Sequence, residues 1–250
     1  RSNQLLAKVS TDVALTARGA ASQSAAILTI NNSANDILTS IDSSGRLRFN
    51  TSTTGSTNEG SVWADSTQEA LQTYINGLEQ TLSGAIFTST DTRTVTNTST
   101  ETTIIGSGVG TSTLPANFLL PGKTIRITVR GTLSTKASPV GTIRFRTFLG
   151  TTVVGNTGTN TPTASLRNRY FEVSEIITVR TAGASGTVIS QGLTTVSVGV
   201  ADFIGIDMEE TGTTTIDTTA SQAIDVRVTW ATADVGNTVS STNVIFELLN

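Results

Sequence analysis

The chain contains neither cysteine nor histidine. The first absence removes disulfides, thiolate nucleophiles, zinc–thiolate sites and iron–sulfur clusters, so durability outside a cell has to come from packing and assembly. The second removes Ser-His-Asp triads, HExxH metal sites and the ordinary proton shuttle near neutral pH, and with them most hydrolase chemistry. Charge is scarce as well: 14% of residues are charged, and the 16 basic and 19 acidic side chains leave a net charge of -3 with no basic run. Nucleic-acid binding therefore lacks its electrostatic footprint. No apolar stretch approaches the ~20 residues that span a bilayer, and Arg1-Ser2-Asn3-Gln4 is not followed by the apolar core of a signal peptide, so no membrane insertion is expected. Aromatic residues number only 2 Trp, 2 Tyr and 8 Phe, few for the stacking platforms on which sugars usually sit.

Ser, Thr and Asn fill the composition instead, and the apolar share is 36%. Low charge argues against a charge-driven disordered chain. A folded chain with an uncharged polar surface and a modest core follows.

Residues 1–25 read as a leader, extended or weakly helical, of the kind that docks on a larger assembly or frays as a terminus. From 26 to 50 the period becomes two: Ile27-Leu28-Thr29-Ile30, Ile37-Leu38-Thr39-Ser40-Ile41 and Arg46-Leu47-Arg48-Phe49, separated by polar turns, predict a three-strand meander. So few short strands are marginal in water on their own, and the meander needs partners from other copies of the chain. Residues 51–60 are a polar, glycine-interrupted linker, and 61–87 form the next module. Within it Ser66 and Glu69 match a capping box, and Leu71, Tyr74, Ile75, Leu78 and Leu82 have helical spacing. Asn76-Gly77 in the middle is a hairpin signal and favours strands near 70–75 and 78–82 instead. Ile30, Ile41, Leu47, Trp63, Leu71, Tyr74, Leu78 and Leu82 are the candidate oligomer-interface residues.

From residue 88 to 250 strands succeed one another. Thr124–Arg130 alternates strictly, with Ile125, Ile127 and Val129 on one face and Arg126 and Arg130 on the other. Further strands are expected at 101–105, 142–149, 169–180, 186–191, 194–199, 213–217, 222–231 and 243–249. The predicted fold is all-β, with intertwined hairpin modules followed by a jelly-roll-like β-sandwich head over 88–250.

The block Val62-Trp63-Ala64-Asp65-Ser66-Thr67-Gln68-Glu69-Ala70-Leu71, followed by Tyr74-Ile75-Asn76-Gly77 and Gln80-Thr81-Leu82-Ser83-Gly84, resembles a recurring module of phage and prophage fibre-type structural proteins. The segments Thr100–Gly110 and Leu114–Arg126 are similar to the opening of the C-terminal sandwich in the same proteins, and Ile41–Leu47 looks like a strand-turn-strand unit of fibre shafts. The resemblance covers roughly residues 60–150 well; beyond that only the strand rhythm is shared. It implies a homotrimeric fibre or spike of a tailed-phage particle, a head or tail appendage on the virion surface, with little or no catalytic content. The leader then docks on other virion proteins. The alternative is a tip module that binds a host-surface glycan or protein.

The residue inventory leaves one catalytic option, a carboxylate pair. Glu172 and Glu175 are three apart in a strand and point to opposite faces. Asp207, Glu209 and Glu210 cluster near Met208 in an expected solvated loop, and with Asp202 they lack the alternating spacing of a calcium loop. Gly106-Ser107-Gly108-Val109-Gly110 has no Gly-Lys-Ser/Thr ending and reads as a flexible inter-strand loop. No catalytic residue, metal or cofactor is assigned. Trp230 alternates into the core, Trp63 suits a packed seam, and Tyr170 is the aromatic expected to be exposed. Arg126, Arg130, Arg144 and Arg146 repeat on the polar face of what read as adjacent strands, as a stripe that faces either solvent or an acidic partner.

Overall fold

The computed structural model describes residues 24, 26–31, 37–41, 43–44, 46–49, 51–52, 62–65, 70–75, 78–81, 84–199, 202–208 and 212–250; at 37–38, 51–52, 63–65, 70–75 and 78–81 the backbone alone is described. The chain divides into two compact units between Gln80 and Thr81. Among the described residues every regular element is a strand.

In the first unit β1 (Leu28–Asn31), β2 (Ile37–Ile41) and β3 (Leu47–Phe49) form an antiparallel meander. A second sheet runs in the order β4 (Thr51–Ser52), β5 (Val62–Asp65), β6 (Ala70–Ile75), β7 (Leu78–Thr81), with β4 parallel to β5 and β5 antiparallel to β6. The neighbouring strands β6 and β7 flank Asn76-Gly77, so strands prevail over helical spacing at 70–75 and 78–81; Asn76 and Gly77 themselves lie outside the described residues. β4 lies in the stretch expected as linker. The expected leader, Ser66 and Glu69 of the capping box, and Leu82 lie outside the described residues.

The second unit begins with β8 (Gly84–Ser89), which spans the expected module boundary at 87/88 and pairs with the last strand of the chain. Short strands follow: β9 (Arg93–Thr96), β10 (Thr102–Thr103), β11 (Gly108–Gly110) and β12 (Thr113–Leu114). Then come the long ones: β13 (Thr124–Ser134), β14 (Ile143–Leu149), β15 (Thr152–Asn156), β16 (Arg169–Thr181) and β17 (Gly186–Ser197). β18 (Phe203–Asp207), β19 (Thr214–Ile216), β20 (Gln222–Trp230) and β21 (Thr238–Leu248) complete it.

The larger sheet has the order β11-β8-β21-β13-β16-β17-β18, and the smaller the order β10-β20-β14-β15 with β12 also on β20. The chain crosses from one sheet to the other between β13 and β14, β15 and β16, and β20 and β21. This is the jelly-roll arrangement, widened on one side by β17 and β18. Alternation puts Ile125, Ile127 and Val129 of β13 and Ile224, Val226, Val228 and Trp230 of β20 into one shared core. Phe145 of the smaller sheet stacks on Phe171 of the larger across the interior, with ring centroids 5.6 Å apart. Full burial of each such side chain contributes roughly 1.5–3 kcal/mol.

Three readings need correction. The strands expected at 186–191 and 194–199 are one strand, β17, because Gly192 is not a turn. A Cβ there would lie 2.6 Å from the Ser174 carbonyl oxygen and 2.9 Å from Glu175 Cα, so this glycine marks close approach of two backbones inside a sheet. Gly108–Gly110 is an edge strand on β8 and not a flexible loop. Finally, Asp207 ends strand β18, in a segment expected as loop; Phe203-Ile204-Gly205-Ile206 supplies enough apolar residues to pair with β17.

Candidate functional site

The two outer faces of the sandwich carry different chemistry. On the larger sheet Arg130 of β13 stands opposite Glu172 of β16. Its Nη2 lies 3.0 Å from Glu172 Oε1, and the Tyr170 hydroxyl donates to Glu172 Oε2 at 2.6 Å. Partial burial pushes the Glu172 carboxyl up, but these two hydrogen bonds and the Arg130 charge hold it below its ordinary value. Burial and Glu172 together raise Tyr170. Tyr170 is 39% exposed. Beside this group Glu172, Ser174, Ile176, Gln191, Leu193 and Thr195 line a shallow depression of about 460 Å³.

On the smaller sheet the outward positions of β14 and β20 bring Arg146 directly opposite Arg227, Arg144 opposite Thr229 and Phe148 opposite Asp225. Arg146 Nε donates to Glu101 at 2.6 Å, Arg144 reaches the same carboxylate at 4.0 Å, and Arg227 Nε donates to Asp225 at 2.6 Å. Arg227 lies 4.1 Å and Arg146 5.2 Å from the Phe148 ring centroid. The two guanidiniums cover that ring, which is buried although it belongs to an outward position.

Arg126 and Arg130 thus belong to one sheet and Arg144 and Arg146 to the other, and the expected four-arginine stripe does not exist. Consecutive strands β13 and β14 are not neighbours, because the jelly roll sends them to opposite layers. Each of these arginines also faces an acid, Arg126 pairing with Glu247 at 3.5 Å.

Glu175 points the other way from Glu172, into the core, and is 1% exposed. Ser190 of β17 donates to its Oε1. Its Oε2 and the buried Thr147 Oγ1 of the facing sheet have no hydrogen-bond partner. Burial raises this carboxyl from 4.5 to about 7, against the opposing effect of the Ser190 hydrogen bond. The two glutamates therefore share no site. Met208 is fully buried, Asp207 is exposed at the end of its strand, and Glu209 and Glu210 lie outside the described residues. Among the described residues no three acidic side chains converge as metal ligands. An apolar cavity of about 70 Å³ lies between Leu133, Ile143, Phe145, Val196, Ile204 and Ile206, with no ionisable side chain in its lining.

In the first unit, register places Leu28, Ile41 and Leu47 in one cross-strand row and Ile30, Thr39 and Phe49 in the next. This face is apolar apart from Thr39, and none of its side chains is buried: Ile30 is 52% and Leu47 60% exposed, and Ile41 is half-buried. The other face carries Thr29, Ser40 and Arg48. Phe49, which was not among the residues expected at an interface, shares this exposed apolar face; strict alternation with Leu47 was the signal for it. Trp63 stands opposite Gln72 and Leu71 opposite Ala64; Tyr74 and Leu78 lie on β6 and β7.

Compared with family models, curated proteins and solved structures, the chain gives no match.

Proposed function

We propose that this chain is a non-enzymatic structural subunit of a tailed-phage particle, a homotrimeric fibre or spike that presents a jelly-roll head on the virion surface and docks on other virion proteins through residues 1–25. The phage assignment rests on the fibre-like blocks at 62–84 and 100–126. The assembly part rests on one observation, the apolar face of the β1–β3 meander, whose Ile30, Leu47 and Phe49 stay in water in the single chain. Side chains of this size left in water forgo roughly 1.5–3 kcal/mol each that burial would supply, so such a face favours association. Identical copies bring identical apolar faces, which cover one another without a specialised partner and without disulfides.

Light scattering on the full chain tests this. A mass near three times 26.0 kDa supports the reading. A stable monomer overturns it and favours the attachment-module alternative, for which the depression beside Glu172 and Leu193 is the candidate surface.

A further inference from the structure

On the outer face of the smaller sheet three guanidiniums share two carboxylates: Arg144 and Arg146 turn to Glu101, and Arg227 turns to Asp225. Like charges directly opposite one another across two strands destabilise a sheet, yet Arg146 and Arg227 occupy that relationship, held over Phe148. The internal compensation is incomplete. Arg227 engages Asp225 through Nε, and its Nη groups have no acceptor among the described residues; Arg144 approaches Glu101 only to 4.0 Å. Arg144 and Arg227 stand diagonally across the β14–β20 pair, a spacing of about 7–8 Å that long side chains close. One more oxyanion fits their combined charge and their forked donors.

From this we infer that the strip Arg144–Arg146–Arg227 binds the carboxylate of an acidic saccharide. The group already in place speaks for a carboxylate: Glu101 takes two guanidiniums here in the manner a third carboxylate would take the remaining pair. The surroundings speak for a saccharide. Asn156 and Thr229 flank the strip in cross-strand register and offer neutral groups for hydroxyls, the Asn156 amide N–H and the Thr229 hydroxyl oxygen, whereas the Thr103 hydroxyl is taken up by Asp225 and Ile105. A protein partner would call for an apolar anchor, and no large exposed apolar side chain among the described residues lies on β10, β14, β15 or β20. This inference is independent of the assembly reading, because the strip is complete within one chain.

Calorimetric titration of the full chain with tetragalacturonate, and with a neutral galactose oligomer of equal length, is the test. The acidic oligomer binds, its affinity falls as salt screens the charges, and the neutral one does not bind. Arg144→Gln weakens binding about tenfold, the effect of losing one charged hydrogen bond. Arg126→Gln, on the opposite face and paired with Glu247 away from the depression beside Glu172, leaves it unchanged. Arg227→Gln should act like Arg144→Gln, but it strands Asp225; Arg144, loosely paired, carries the test if Arg227→Gln fails to fold. Equal binding of the neutral oligomer, no binding of the acidic one, or indifference to Arg144→Gln overturns the proposal. So does stronger binding of polyphosphate or of an oligoglutamate peptide, which would reassign the strip to phosphate or to an acidic protein.

Discussion

The Glu175 carboxyl accepts a hydrogen bond from the Ser190 hydroxyl inside the closed core of the sandwich. Its second oxygen and Thr147 Oγ1 of the facing sheet both lack a hydrogen-bond partner. A core that excludes water favours the neutral, protonated form of this carboxyl.

A pH dependence of stability follows. The folded-state value is raised from 4.5 to about 7, so between those limits the unfolded chain releases a proton that the folded chain keeps. Stability attributable to this group is intact below pH 4.5, falls as pH rises, and is lost above about 7. At about 1.4 kcal/mol per pH unit the loss reaches roughly 3 kcal/mol. Urea unfolding of the head transition at pH 5 and pH 8 measures it. Glu175→Gln, which keeps an uncharged donor and acceptor, should flatten the difference and be the more stable form at pH 8; an unchanged slope in that variant rules out Glu175 as its source.

Gly131 sits in β13 at a register shift against β21. A Cβ there would collide with the backbone of Ser240 and Ser241, which cannot turn aside as a side chain can. Gly131→Ala should destabilise the head by roughly 1–3 kcal/mol, as overpacking does. Gly84→Ala is the matched control, with nothing within 4 Å of the added methyl. Thermal melts of the two variants should differ clearly, and equal melts would show that β21 yields at the bulge.

The strands that alternate strictly, such as Thr124–Arg130 and Ile224–Trp230, were legible because a half-buried strand repeats every two residues and nothing else does. The strands on either side of Asn76-Gly77 were legible because that pair is a hairpin signal carried by two adjacent residues. Sheet membership was not: Arg130 and Arg144 are fourteen positions apart and lie on opposite faces of the molecule, a consequence of layer crossing that no local pattern records. Gly192 looked like a break because the sequence cannot distinguish a turn from a place where two backbones nearly touch. Glu175 carried no signal beyond its parity with Val173 and Ile177; that parity placed it inward, opposite Glu172, but the hydroxyl that donates to it, Ser190, sits on the next strand, and only the β16–β17 register brings the two together.

The Arg130–Glu172 pair on the outer face should matter little to stability, despite its 3.0 Å contact. Both side chains remain partly in water, where such pairs contribute about 0–1 kcal/mol. Glu172→Gln should therefore shift the unfolding midpoint only slightly. A large loss would mean that this face is covered in the assembled protein.

The meander face makes the sharpest demand on the assembly reading. Leu47 and Phe49 lie on one short strand and on one face, and a substitution there acts in every copy at once. Replacing both with Ser removes two side chains whose burial is worth roughly 1.5–3 kcal/mol each per chain, against polar gains that are already available in water. The double variant Leu47→Ser, Phe49→Ser should lower the solution mass from trimer toward monomer at equal protein concentration. The main thermal transition of the head should stay in place, since its core draws on residues from Phe87 onward. A matched pair on the polar face, Thr29→Ala with Ser40→Ala, should leave the mass unchanged. If both double variants stay trimeric, the seam lies elsewhere, and the exposed apolar face of the meander is covered by something other than its own copies.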